Sequence, residues 1–406
     1  MKQSRFFLLH SPLHSLLHRT LLSTAVGLAA FPSSAQEPAP AAEPPLAVAP
    51  PPAELSATPV PVPPPPIDPP KADLGPINIG VWGRVDVTLA NGQNPKKLDD
   101  IGSTGLAEFH TSGKLHKYFA FTANLVASYG GGDGISGTAG LMDAIVQFEP
   151  DDLFHLWAGR NLVPVDRSNF SGPWFMGPWF YPLFGFVDGQ IGPTVPHEGP
   201  SGRNDGLTAW GFYAEDSFSI KYYIGAYDLH DRAQSPLISG RLNLSLLSPE
   251  PGFYSNSTYY GKDLLAIGAG FQYKKNGSSN AWDPAQTLDT NQYTEFNADI
   301  LFEKKLGESV LDLEGAFYKF NGDYERTDAA WFAVASLLLP GGNVQPLVRV
   351  QQAIPAYDRE DTSTLVDAQL GYVLNAFATR FAGGFRYGKA GDLSSKTVFL
   401  GAQFEK

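Results

Sequence analysis

The sequence predicts an all-β membrane protein, a transmembrane antiparallel up-and-down β-barrel of about sixteen strands. From Ile77 to Phe404, apolar and polar residues tend to alternate within segments of roughly ten residues. Strand side chains point alternately to opposite faces, so this pattern builds a sheet with one apolar and one polar face. The links between segments mostly alternate short and long, which is typical of a barrel with tight turns on one rim and large loops on the other.

Composition narrows the possible functions. The chain has 406 residues, a formal net charge of −12 and no cysteine. The negative charge argues against a nucleic-acid-binding protein, because phosphate backbones require a basic surface. Without cysteine, no disulfide, thiolate metal site or cysteine nucleophile can form. Mean hydropathy is −0.15, and no uncharged apolar run long enough for a helical membrane span follows the N-terminus.

The first 35 residues predict a secretory signal peptide. Positive residues precede a short apolar stretch at 21–31, and small residues at 33–35 offer a cleavage site before Gln36. The chain is therefore expected to be exported.

A proline-rich tether is predicted at residues 36–76, which hold sixteen of the 34 prolines. Proline lacks a backbone donor and fixes φ, so this stretch cannot join a sheet. It is expected to be disordered or extended, and a spacer role or a contact with the cell wall is the functional alternative. The barrel domain is predicted to comprise residues 77–406.

The predicted strands have the length that an outer membrane requires. Ten residues at about 3.3 Å each, tilted by about 45°, span about 25 Å, the height of the apolar band. One link breaks the short–long rule, because residues 248–263 should form a short turn and do not. Strands are expected near residues 77–90, 103–112, 115–128, 140–149, 152–160, 205–215, 217–227, 237–247, 264–275, 292–304, 308–319, 328–339, 344–353, 364–374, 378–388 and 394–404.

Charged residues on the polar face are the candidate pore lining. An Arg or Lys would cost about 2–4 kcal/mol if it faced hydrocarbon at the bilayer midplane, and an Asp or Glu less, so these residues should point into the lumen. They would then either set up a transverse field that orders permeating solutes or only keep the wall solvated. The basic candidates do not clearly outnumber the acidic ones, so their sign predicts no selectivity. The candidates are Arg84, Asp86, Asp143, Lys221, Arg241, Lys274, Glu295, Asp299, Asp312, Glu314, Arg349, Asp367, Arg380 and Arg386.

The longest link, at 161–203, is unusually apolar and contains the tandem units Gly172–Phe175 and Gly177–Phe180, each reading Gly-Pro-Trp-Phe. A loop with so many rings should not stand free in water, because large exposed apolar patches are rare. It is expected to fold into the barrel and narrow it; packing against a neighbouring subunit or anchoring at the rim are the alternatives. The candidate constriction residues are Trp174, Phe175, Trp179, Phe180 and Tyr181.

Three short motifs carry a resemblance to a known family. The sequence Trp157–Pro164 resembles the strand-end Gly-Arg/Lys-x-x-x-Pro signature of outer-membrane porins related to the phosphate-selective O and P type, and Gly199–Gly206 and Pro249–Tyr254 are also similar to such porins. The resemblance implies a sixteen-stranded, trimeric diffusion channel. The phosphate-selective members line their pores with an arginine ladder and a lysine cluster, which the mixed lining here does not match.

Enzyme and cofactor signals are poor. The Gly132–Gly137 match to G-x-G-x-x-G lies in a glycine-rich link without a following helix. The histidines lack metal-ligand spacing. A rim hydrolase built on Asp228 or Asp231 near His230 is the weakest alternative. We expect no catalytic residues, metal or cofactor.

The sequence therefore predicts a water-filled porin in the outer membrane of a Gram-negative bacterium, passing small hydrophilic solutes or ions by diffusion. Its partners would be outer-membrane lipid, two further copies in a homotrimer and the solutes in transit. The alternatives are a phosphate- or anion-selective channel and a plugged barrel that acts as an anchor or adhesin. Aromatic residues at the membrane interfaces are expected to include Tyr222, Tyr318, Tyr372 and Phe404.

Overall fold

The computed structural model describes residues 75–91, 97–130, 137–182, 202–228, 235–275, 292–321, 327–356 and 361–406. The predicted signal peptide and almost all of the predicted tether lie outside these residues. The strands are β1 (Ile77–Ala90), β2 (Asp100–His116), β3 (Phe119–Gly130), β4 (Gly137–Asp151), β5 (Phe154–Leu162), β6 (Arg203–Glu215), β7 (Phe218–Asp228), β8 (Leu237–Leu246), β9 (Leu264–Lys274), β10 (Tyr293–Leu306), β11 (Ser309–Asn321), β12 (Thr327–Leu338), β13 (Val344–Pro355), β14 (Ser363–Asn375), β15 (Thr379–Ala390) and β16 (Leu393–Glu405).

The sixteen strands form one closed antiparallel barrel, as the sequence predicted. Each strand pairs with its neighbours in the chain, and β1 closes the sheet on β16 with Arg84 opposite Gln403 and Asp86 opposite Gly401. Closure pairs every strand on both sides, so the sheet has no free edge to expose to lipid.

The two faces of the wall have opposite chemistry. On β11, Leu313 and Phe317 are 41% and 49% exposed and face outward, whereas Asp312 and Glu314 are buried and face the lumen. The expectation for the aromatic girdle is wrong for Tyr318, which is fully buried inside the barrel. Its parity explains this, because Tyr318 lies an even number of positions from Asp312 and so shares the inner face.

No helix among the described residues is long and apolar enough to cross a membrane. A short helix, α1 (Arg167–Ser171), lies in the described part of the β5–β6 link. Asp166 caps its N-terminus by accepting a hydrogen bond from the Asn169 N–H at 2.8 Å.

Two links enter the barrel instead of remaining at its rims. The first inward segment, residues 163–182, follows β5 from the long-loop rim. The second inward segment, residues 248–263, joins β8 to β9 from the short-turn rim, where the sequence pattern required a short turn. The hydrogen bond from Ser257 N to Phe175 O, at 3.1 Å, joins the two inside the barrel.

Candidate channel lining and inward segments

The Gly-Arg-x-x-x-Pro motif lies where β5 leaves the wall. Gly159 has φ of +115°, and a Cβ there would lie 2.2 Å from the carbonyl oxygen of Ala144 on β4. Only glycine fits so strained and crowded a position. At the end of the motif, the Pro164 carbonyl accepts a hydrogen bond from Ser239 on β8, which directs the chain across the lumen.

Arginines of the wall hold the aromatic part of the first inward segment. The guanidinium of Arg84 lies 3.9 Å from the ring centre of Trp179, and that of Arg386 lies 4.3 Å from the ring centre of Phe180. Such cation–π contacts contribute about 0.5–2 kcal/mol each, depending on desolvation. The side chain of Trp174 donates from Nε1 to Glu108 on β2. The rings are thus packed against β15, β16, β1 and β2.

The wall also bonds the backbone of this segment. Arg349 donates from Nη1 to the carbonyl of Phe180 at 2.7 Å, and Gln403 donates to the carbonyl of Trp174 at 2.9 Å. Gln369 accepts from the Trp179 N–H at 2.7 Å. Because these bonds satisfy polar backbone groups inside the barrel, the segment has a defined position.

A buried ion pair joins the two inward segments. Arg167 donates to both carboxylate oxygens of Glu250, each at 2.8 Å, and both side chains are fully buried. Nearby, Phe253 stacks on Trp157 of β5 with ring centres 4.2 Å apart. The bidentate ion pair and the packed rings together fix the position of one segment relative to the other.

The predicted lining residues all lie on strands with their side chains on the inner face, and the structure brings several together. Arg241 donates to Asp299 at 2.6 and 2.9 Å, and Asp367 accepts from both Arg349 and Arg386. These contacts compensate the charges of the bonded groups.

Two lysines of the predicted lining donate hydrogen bonds to residues between strands. Lys221 donates to the carbonyl of Tyr254 and the hydroxyl of Ser255 in the second inward segment, and Lys274 donates to the carbonyl of Ser235. Lys221 therefore supports the second inward segment, whereas Lys274 bonds the link that precedes β8.

Three functional candidates were missed from the sequence. Glu108 has the inward parity of β2 and could have been found by that signal, whereas Arg167 and Glu250 lie in links without periodicity. Among the described residues, no group of three or more His, Asp or Glu could hold a metal ion. Of the rim hydrolase candidates, His230 and Asp231 lie outside the described residues.

Asp166 should make the first inward segment sensitive to pH. Burial raises the pKa of this carboxyl to about 7, although the hydrogen bond from Asn169 acts in the opposite direction. Between about pH 4 and 7 the folded protein then binds more protons than the unfolded chain. The free energy of unfolding therefore falls as pH rises through that range.

We expect Asp166→Asn, which keeps a capping oxygen and removes the charge, to melt at a higher temperature than the unsubstituted protein near pH 8. Near pH 4 the two should melt together, because the carboxyl is then neutral. Thermal denaturation followed by circular dichroism measures the melting temperatures of the two proteins at each pH. A difference between these temperatures of equal size at pH 4 and pH 8 would contradict the prediction.

Solved structures share this architecture. OmpF of Salmonella typhi, in complex with daunomycin, is 10% identical with a TM-score of 0.54, covering 81% of this chain and 98% of that chain. An anion-selective porin from Comamonas acidovorans is 12% identical with a TM-score of 0.51, covering 82% and 100%. OmpT, an outer membrane protein of Vibrio cholerae in its trimer form, is 14% identical with a TM-score of 0.51, covering 82% and 100%.

No known family's sequence profile and no curated protein sequence matches this chain. The likeness is therefore one of structure: the chain has the barrel fold of outer-membrane porins.

Proposed function

We propose that this protein is a porin of the Gram-negative outer membrane, a water-filled channel through which small hydrophilic solutes or ions diffuse passively, without catalysis. The observation that carries the proposal is the closed sixteen-strand barrel with an apolar outer face and a polar inner face. Such a barrel is wide enough for an aqueous channel, and its outer face requires lipid. Porin and outer-membrane structures of the same fold support the location.

The aromatic stretch Trp174–Tyr181 would form the constriction, since the wall holds it across the lumen. A homotrimer is proposed from the trimer form of the similar Vibrio cholerae barrel. Planar-bilayer recording of the purified full chain tests the function. Stepwise conductance increases on insertion are expected; their absence would overturn the proposal.

A second candidate is a plugged barrel that acts as an anchor or adhesin. It is favoured by the burial of the inner faces of β7 to β13, where Lys221, Glu295 and Arg349 are at most 1% exposed. The same recording separates the two functions, because a plugged barrel would insert without conductance steps.

A third candidate, which competes with an unselective pore, is an anion-selective channel, to which the phosphate-selective O/P resemblance points. Four arginines of the wall surround one stretch of the first inward segment. They are Arg84 on β1, Arg349 on β13, and Arg380 and Arg386 on β15. The reversal potential in a salt gradient tests this directly. It should shift toward that of the anion, because Arg349 and Arg386 share a single carboxylate, Asp367.

A further inference from the structure

The inner wall of the barrel is buried on one side and open on the other. On β7 to β12, the inward side chains of the described residues are buried; Ser219 and Ser239 have no exposed surface. The second inward segment and the start of the first, at Pro164 and Val165, pack against this side. On β2 and β3, by contrast, the inward side chains of His110, Ser112 and Thr122 are partly exposed.

Exposed polar groups lie toward both rims of these two strands, and between them the inward Glu108 and Asn124 are buried. Thr104 on β2 and Ser128 on β3 lie toward the long-loop rim, where they are exposed and partly exposed, and Lys114 lies exposed near the short β2–β3 turn. The alternate residues, such as Phe109 and Leu125, are 54% and 55% exposed on the lipid face, so the accessible polar groups belong to the lumen.

The inner face of β2 and β3, called the β2–β3 strip below, carries mostly neutral groups that form hydrogen bonds. Ser112 is paired in register with Thr122, and Ser128 is hydrogen-bonded to Thr138 of β4 at 2.8 Å. The adjoining charges have opposite signs: Glu108 accepts from Trp174, and Arg84 stacks on Trp179.

From this contrast we infer that the solute path follows the inner face of β2 and β3, and that its hydroxyl groups make it a path for small uncharged polar solutes. The inference rests on the proposed porin function and specifies where conduction occurs. Solutes pass along the inner face of β2 and β3, beside the aromatic rings that β15, β16, β1 and β2 hold in place. The predicted lining residues on β7 to β13 are buried and then do not touch the solute.

The chain has no cysteine, so single cysteines can report access without background. Ser112→Cys and Thr122→Cys place a thiol on the strip; Ser219→Cys and Ser239→Cys are matched controls on the buried wall. Each full-length protein is treated with a negatively charged, membrane-impermeant methanethiosulfonate, first folded and then after denaturation, and labelling is measured by mass spectrometry.

Complete labelling of the two strip cysteines in the folded protein is expected, with labelling of the control cysteines only after denaturation. In bilayers, the reagent should reduce the conductance of the strip variants roughly twofold and leave the controls unchanged, because the added group narrows the path. Liposomes that contain the unsubstituted protein should swell in a neutral polyol, and the reversal potential in a potassium chloride gradient should lie near zero.

Labelling of the control wall in place of the strip, conductance insensitive to labelling of the strip, or a strongly ion-selective reversal potential would each overturn the inference. The two electrical outcomes require a conducting protein, whereas the labelling pattern does not. If the unsubstituted protein shows no conductance steps, the porin function itself fails first, which keeps the two failures distinct.

Discussion

Glu250→Ala is expected to release the two inward segments from each other and to enlarge the conductance of the barrel. The substitution leaves the guanidinium of Arg167 without the carboxylate that accepts both of its 2.8 Å hydrogen bonds. Removing one partner of a buried pair costs about 3–5 kcal/mol, because the remaining charge stays desolvated. Glu250 also accepts from Ser245 at 2.7 Å, so that hydroxyl loses its partner as well.

The strand ladder is not part of this contact, so the wall should persist while the segments inside it loosen. Single-channel recording should show larger and noisier steps, and limited proteolysis should cut within residues 163–182 or 248–263. Arg167→Met should act similarly through an unpaired Glu250.

Two comparisons make the test specific. The double variant Arg167→Met/Glu250→Leu should behave more like the unsubstituted protein than either single variant, since it leaves neither charge unpaired. Lys319→Ala is the control for losing an ion pair, because Lys319 meets Asp328 at an exposed site that contributes little. Unchanged conductance and protease resistance in Glu250→Ala would show that the pair does not hold the segments.

The barrel was predictable because its rules are local. Inward and outward parity follows from a two-residue period, and the apolar outer face repeats along every strand. The same parity placed Asp312 and Glu314 on the lumen side of β11. The same parity also predicts an inward Tyr318, because its spacing from Asp312 and Glu314 is even. The interface position was predicted instead from the general enrichment of tyrosine at membrane interfaces.

The contents of the barrel were much less predictable. The rings at 174–180 indicated a segment that needs cover, but not which wall would supply it. The pairing of Arg167 with Glu250 spans 83 positions, and no periodic pattern in either link indicates it. The unusual length of the 248–263 link was visible in the sequence as an exception to the short–long alternation. That the link enters the barrel depends on its pairing with the distant Arg167.

Gly401 is expected to be the position on β16 where the smallest added group displaces the first inward segment. A Cβ there would lie 2.2 Å from Cζ2 and 2.5 Å from Cε2 of Trp179. The backbone cannot yield easily, since Gly401 is paired with Asp86 of β1 and Ala382 of β15. The ring must therefore move toward the lumen, and overpacking of this kind costs about 1–3 kcal/mol.

We expect Gly401→Ala to lower the single-channel conductance and Trp179→Ala to raise it, the latter at a cost of about 3–5 kcal/mol for the lost buried ring. In the Trp179→Ala background, adding Gly401→Ala should have no further effect, because the clashing ring is gone. Gly383→Ala is the matched control on β15, where the new Cβ would meet the outward Leu400 side chain at an ordinary 3.4 Å. If Gly401→Ala lowers the conductance equally with and without the Trp179 ring, the ring does not set the width of the channel, and the constriction must be sought elsewhere along the wall.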